Sequence, residues 1–264
     1  MTTFSIITVT YNSADTLAIT IESILKQTYL RVIQPSDKIK RAAESSKRPN
    51  VEWILIDGAS QDATIAVANV YQDQLRKLGV TVRILSEKDS GIYNAMNKGV
   101  HLAMGSVIGF LNSGDWYEDN ALELIDQTFQ NSQCDLTFGD IRIHRQNGRT
   151  ILKKAKLSWF QTSRNWNHPS TFVKATILKE HPFLEKGIHD DYGFYLYVRK
   201  SDYPITLTNA VIANFRMGGA SNKKSLRDAR KRIVDRYRYC YRINGYSRLY
   251  ILECVLIEVM KSLL

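Results

Sequence analysis

Apolar and β-branched residues gather in short runs along the first half of the chain, and each run stops at a polar turn. Phe4, Ile6, Ile7 and Val9 lead to Tyr11-Asn12-Ser13, and Val51, Trp53, Ile54, Leu55 and Ile56 lead to Asp57-Gly58-Ala59-Ser60. Val82, Ile84 and Leu85 precede Lys88-Asp89-Ser90-Gly91, and Val107, Ile108, Phe110 and Leu111 precede Asn112-Ser113-Gly114-Asp115. Runs of this length between turn residues predict strands. Helix-start signals follow near Thr64, with Ser60 or Asp62 as the cap, and near Ile92. Strands alternating with helices predict parallel βαβ units: an α/β fold with a mostly parallel central sheet flanked by helices. Such sheets bind ligands beyond the carboxyl ends of their strands, so the residues just past each run are the candidate site residues.

Asp115 is one of these, a hard oxygen donor suited to a divalent ion holding a diphosphate, although Asn-Ser-Gly-Asp is also an ordinary turn sequence. Asp57 and Asp89 stand at two further strand ends, where carboxylates can bond ribose hydroxyls, and Gly91 permits close approach of a ligand to backbone. Asp57 could equally cap a helix, and Tyr11 could be a core aromatic. Asp190 and Asp191 open a segment of helical apolar spacing at 187–197. A carboxylate there can take a proton from a hydroxyl, and close neighbours raise one another's pKa; both acids could also simply favour the positive end of a helix.

Five segments in order carry a family resemblance: the run ending Thr10-Tyr11-Asn12, Asp57-Gly-Ala-Ser-Gln-Asp-Ala-Thr64, 89–99, 112–115, and Ala213-Asn-Phe-Arg216-Met-Gly-Gly-Ala-Ser221. Together they resemble the inverting glycosyltransferases of family two, with the GT-A nucleotide-sugar-binding fold. Gly-Ile-Tyr-Asn-Ala-Met-Asn-Lys-Gly and Asn-Ser-Gly-Asp are similar to a branch that builds bacterial exopolysaccharide and surface glycans. The resemblance implies inverting transfer of a hexosyl-type sugar from a nucleotide-sugar donor, taken as a UDP-sugar, to a hydroxyl of a glycan or polyprenyl-linked acceptor. It implies that Tyr11 and the backbone at Val9 flank uracil or another base, and that Asp57 accepts a bond from base or ribose. Asp89, Gly91, Asn112 and Ser113 would line the nucleotide. Asp115 would hold Mn²⁺ or Mg²⁺, alone, because the family's Asp-x-Asp is Ser113-Gly114-Asp115 here. Asp191 falls at the family's base position, with Asp190 as the alternative. Acceptor or diphosphate contacts are expected from Trp116, His168, Asp190 and Arg216. Trp116 would stack on a sugar or merely pack; His168, in a stretch resembling the family's His-x-x-x-Phe, would touch the acceptor or serve only as a loop residue. Arg216 and Gly218-Gly219 would form a mobile loop over the diphosphate, or an exposed turn.

Composition changes this picture little: 264 residues, 44% hydrophobic and 23% charged, suit one catalytic domain plus an appendage. The expected division is 1–221, with a nucleotide-binding half at 1–115 and an acceptor half at 116–221, then a helical appendage at 222–264. No apolar stretch nears twenty residues and no leader precedes Phe4, so neither a spanning helix nor a signal peptide is expected, and the location expected is cytoplasmic. Cys134, Cys240 and Cys254 show no pairing pattern, in keeping with a reducing compartment, and no His/Cys spacing suits zinc.

Charge adds one feature. Lys223, Lys224, Arg227, Arg230, Lys231, Arg232, Arg236, Arg238, Arg242 and Arg248 stand against Asp228 and Asp235, with tyrosines interleaved. Leu249, Leu252, Leu256, Val259 and Leu263 then recur at helical spacing. The segment suits peripheral contact with an anionic membrane, at the inner face; the alternative is a solvated basic face with a helix packed on the catalytic domain or on a second subunit. No nucleic-acid motif accompanies the charge, so no nucleic-acid partner is expected. Oligomeric state stays open. The polar insertion at 30–50 is expected to be a surface excursion with a short helix near Ile39 to Ser45. A nucleotidyltransferase would need a glycine- and arginine-rich loop after Tyr11, and a dehydrogenase a Gly-x-Gly-x-x-Gly; neither is present. A non-catalytic glycan- or partner-binding scaffold on the same fold is the alternative from another class.

Overall fold

The computed structural model describes residues 2–31, 51–218 and 226–262. The excursion expected at 30–50 lies, past Arg31, outside the described residues, as does Gly219 of the expected loop. Four strands pair side by side in the order β3 (Thr81–Ser86), β2 (Val51–Asp57), β1 (Phe4–Thr10), β4 (Val107–Phe110), all parallel. Helices α1 (Ala14–Leu25), α2 (Thr64–Lys77) and α3 (Ile92–Leu102) make the crossovers. β1 and β2 are buried along their whole length, which explains runs that are apolar rather than alternating. Parity still decides which layer each residue meets. Ile7, Val9, Ile54 and Ile56 pack toward α3, whereas Phe4, Ile6, Trp53 and Leu55 pack with Leu17 and Ile21 of α1.

Beyond β4 the sheet is mixed. After β5 (Trp116–Tyr117) and α4 (Ala121–Asn131), β6 (Leu136–His144) carries a hairpin partner, β7 (Thr150–Lys153). β8 (Phe172–Lys174) inserts antiparallel between β4 and β6, and leads into α5 (Ala175–Glu180) and α6 (Asp190–Lys200). β9 (Ile205–Arg216) runs parallel to β6 and antiparallel to β5, completing nine strands among the described residues. The carboxyl ends of β1, β2 and β3 are level, since Thr10 pairs with Asp57 and Asp57 with Ser86.

The chain closes with α7 (Leu226–Asp235), a π-helical turn at Arg236–Arg242, and α8 (Tyr250–Ser262). These elements pack on the α/β layers: Cys240, Tyr241 and Cys254 belong to the same buried cluster as Val9 and Tyr192. The basic stretch is accordingly divided. Arg236 is buried and meets His189 at 2.8 Å, and Arg232 pairs with Glu258 at 2.7 Å, whereas Arg230, Lys231, Arg238, Arg242 and Arg248 are exposed. No helix among the described residues is long and apolar enough to cross a membrane.

Candidate active site

A cleft of about 530 Å³ opens at the level ends of β1, β2 and β3. Val9, Thr10, Tyr11, Gly58, Ala59, Gln61, Lys88, Asp89, Gly91, Ile92 and Ala95 line it. Tyr11 is 61% exposed, which rules out the core-aromatic reading. Gly58 is the floor between two expected ligands of the nucleotide. A Cβ there would lie 3.3 Å from the Tyr11 ring and 3.4 Å from the Asp89 carboxylate. Asn12 and Ala59 hold positive φ of 47° and 62° at the rim, a conformation that costs a side-chain-bearing residue energy and aims the two turns at one space. Asp89 is tied to Lys98 of α3 at 2.6 Å, so a cation already offsets its charge at the cleft wall.

Helix α3 can lie this close to the sheet because Gly99 has no side chain: a Cβ would sit 2.5 Å from Ile7 Cγ2. Its first residue is presented by Gly91, whose φ of +153° is open to glycine.

Asp57 departs from the expected contact. It is fully buried, accepts the Ser60 amide at 2.9 Å, the Ser60 hydroxyl, and the Ser86 hydroxyl at 2.6 Å, and does not line the cleft. The reason is parity: Asp57 continues the Trp53 and Leu55 side of β2, opposite to Val9 and Ile56. It shapes the 57–60 turn, and it does not cap α2 either. Asp62 accepts the Thr64 amide at 2.9 Å at the start of that helix.

At the end of β4, the turn at 112–115 is closed by the Asp115 amide on the Asn112 carbonyl at 3.0 Å and braced by Thr20, which takes the Gly114 amide at 2.9 Å. Ser113 donates its amide to the Val9 carbonyl at 3.4 Å, so this turn is fastened to the cleft strand. Asp115 is 5% exposed, and one carboxylate oxygen accepts the Arg216 amide at 3.0 Å. Burial raises its pKa to about 7 against the lowering effect of Arg216. Asn112 Oδ1 is also buried and has no hydrogen-bond partner. Two buried oxygen acceptors in one turn suit a cation that takes its remaining ligands from phosphate and water. No cluster of three His, Cys, Asp or Glu side chains exists among the described residues, so a closed protein-only cage does not fit. Trp116 packs against His144 at 4.6 Å and lies under the Arg216 guanidinium at 5.7 Å, which brings Arg216 to the same turn.

The two adjacent acids of α6 divide. Asp190 is 2% exposed and turns back to accept the amides of Lys186 at 2.6 Å and Gly187 at 3.0 Å, which corrects its reading as an acceptor contact or alternative base. Asp191 accepts the Tyr93 hydroxyl at 2.8 Å and its Oδ2 lies 3.5 Å from His168 Nδ1. His168 is held between Phe110 at 5.5 Å and Trp166 at 5.6 Å, and burial lowers its pKa against the pull of Asp191. It lies against Asp191, and its Nε2 is buried without a hydrogen-bond partner.

Two residues here escaped the sequence reading. Tyr93 lies in a segment noted only for its resemblance, and its position two residues past Gly91 was the available signal. Lys153 gave none. It is a half-buried lysine whose ammonium donates to the carbonyls of Trp166 at 2.7 Å and Ser163 at 3.2 Å, holding the stretch that leads into His168. Burial, reinforced by Arg164 and opposed by Asp191, brings its pKa down to about 8.

Known proteins share this architecture. A PGL/p-HBAD biosynthesis glycosyltransferase of Mycobacterium bovis (strain BCG / Pasteur 1173P2) is 32% identical over 148 residues, 55% of this chain and 49% of the relative, so the match spans about half that relative's length. The structure of S. aureus TarS 1-349 in complex with UDP-GlcNAc superposes with a TM-score of 0.64 at 16% identity, covering 98% of this chain and 72% of that one. Mannosyltransferase PcManGT from Pyrobaculum calidifontis, in complex with GDP-Man and Mn²⁺, gives 0.61 at 14% identity, covering 98% and 69%. The described residues have the GT-A fold of these solved structures. The family model described as Glycosyl transferase family 2 matches residues 5–183, and the chain belongs to that family.

Proposed function

We propose that the chain transfers a hexosyl-type sugar, with inversion, from a UDP-sugar to a hydroxyl of a glycan or polyprenyl-linked acceptor in bacterial surface-glycan synthesis. One observation carries this reading: α3 joins a nucleotide-sized cleft to a lone carboxylate, since Gly91 and Ala95 line the cleft while Tyr93 donates to Asp191. Tyr11 and the Val9 backbone flank the base, and Asp89 meets the ribose. In the transfer, the acceptor oxygen bonds to the anomeric carbon as the bond from that carbon to the diphosphate oxygen breaks. The acceptor proton passes to Asp191, and the nucleoside diphosphate leaves with the electron pair. Tyr93 and His168 hold Asp191 on its line of approach. Arg216 offers a cation to the departing diphosphate. Mn²⁺ or Mg²⁺, held by Asp115 with Asn112, would neutralise diphosphate charge. TarS with UDP-GlcNAc supports the choice of a uridine donor, and PcManGT with Mn²⁺ the divalent ion.

Calorimetric titration of UDP, GDP and their sugar conjugates, with Mn²⁺, Mg²⁺ or EDTA, tests the reading in wild type and Asp115→Ala. Metal-dependent UDP binding that the variant loses is the expected result. Absence of any nucleotide binding would replace the transferase with a glycan- or partner-binding scaffold.

A further inference from the structure

The outer side of α8 is apolar and uncovered among the described residues. Leu249, Leu252, Val255 and Leu256 are 72%, 65%, 41% and 58% exposed. Such exposure along one helical face is more than the scattered apolar residues of an ordinary surface. A second segment, far away in sequence, extends it. Trp159 is 91% exposed at the tip of the 156–165 loop, which is closed by the Lys156 amide on the Asn165 carbonyl at 2.9 Å. Its neighbour Phe160 stacks on Tyr250 at the head of α8, with ring centres 5.1 Å apart and planes within 10°. The tryptophan loop and the helix face are therefore one continuous patch.

Charge identifies what covers it. Lys154 and Lys156 are exposed on the same segment as Trp159, and Arg248 and Arg242 are exposed just before α8. A second copy seated on this face through a twofold axis would bring these cations against their own images. An apolar strip with a tryptophan at its edge and a collar of lysine and arginine matches the interface of an anionic bilayer instead, where apolar side chains sink to the acyl boundary and the cations meet headgroup phosphates. We propose that Trp159, Phe160 and the outer face of α8 dock on an anionic lipid surface. This goes beyond the transfer reading and rests on the surface alone. Its link to the site is physical: Tyr250 stacks on Tyr241 at 4.4 Å, and the Tyr241 hydroxyl meets that of Tyr192, the residue after Asp191, at 3.1 Å.

Sedimentation with phosphatidylcholine vesicles, with and without phosphatidylglycerol, tests the proposal on the full chain with no nucleotide present. The expected result is binding to the anionic vesicles that weakens as salt rises. Leu252→Glu with Leu256→Glu lowers the partition coefficient about tenfold or more, with an unchanged thermal midpoint because both side chains are exposed. In a second readout, acyl-brominated lipid quenches tryptophan fluorescence strongly in wild type and far less in Trp159→Phe, since Trp53 and Trp166 are buried and Trp116 is half-buried against His144 and Arg216. Equal partition onto neutral vesicles, no quenching, or a dimer in light scattering that the double Glu variant dissolves would each overturn the lipid assignment.

Discussion

The cleft and the surroundings of Asp191 are built by different means. On the cleft side, where the nucleotide is proposed to bind, Val9, Tyr11, Asp89 and Gly91 stand where parallel strands end, and backbone register aligns those ends. Around Asp191, the proposed base, single side chains from remote segments make the contacts, Tyr93 from α3 and His168 from the 166–172 stretch, with Lys153 tied to that stretch. A register shared by three strands survives the loss of one side chain; a carboxylate held by two contacts does not. Substitutions should therefore separate into those that change donor affinity and those that change turnover.

The sharpest break in that comparison is Asp191→Asn. Removing the proposed proton acceptor should cut sugar transfer by about 10²–10⁴-fold, the usual range for a general base, while UDP affinity stays within about threefold. Steady-state transfer and calorimetry on one preparation check it. A parallel fall in UDP affinity would mean that the two sides act as one.

Asp115 lies at the seam and should report on stability. Its folded pKa, about 7, is raised by burial, so the fold favours the protonated form. That contribution is complete below the ordinary carboxylate range and is lost as pH climbs through about 7. Asp115→Asn removes the loss. Without divalent ion or nucleotide, denaturant unfolding should find the variant close to wild type at low pH and more stable by about 2–4 kcal/mol above the transition. A gap that does not change with pH would show that Asp115 is not held in its neutral form by the fold.

On the nucleotide side, Asp89→Asn keeps the shape and removes the charge that Lys98 balances. UDP binding should weaken about tenfold, as for loss of one charge-assisted bond, with turnover of bound donor little changed. A drop in turnover with intact affinity would move Asp89 to the other class.

What could be read from the chain follows the same division. Strands β1 to β4 and the turns at 57–60, 89–91 and 112–115 were legible because each is a local apolar run ending in turn residues, whereas β5 to β9 were not read. Asp57 was misplaced for want of one step: its alternation with Trp53 and Leu55 puts it on the side away from Val9. The partners of Asp191 were not legible in that way. Tyr93 and His168 meet it through tertiary packing, with Lys153 tied to the stretch before His168, and neither spacing nor composition records such contacts. The C-terminal helices share this limit. Their tyrosines read as a surface feature, yet Tyr241 is fully buried and joins the core through Tyr192.

Tyr93 connects α3, which lines the cleft, to Asp191, the proposed base, so the smallest change offers the finest test. Burial, then the charge of Asp191, pushes its pKa well above the tyrosine range, and its hydroxyl is the donor at any pH used for assay. Tyr93→Phe retains the ring packing on Phe183, at 5.4 Å, and deletes only that bond. If the hydroxyl serves to aim Asp191, kcat should fall about three- to tenfold, the worth of one hydrogen bond, with the donor KM unchanged. If KM rises along with the fall in kcat, α3 has shifted at its cleft end too, and the helix transmits strain between donor and base. Lys98, anchored to Asp89 further along the same helix, would then be the next residue to examine, because Asp89→Asn should reproduce part of the kcat loss only in that case.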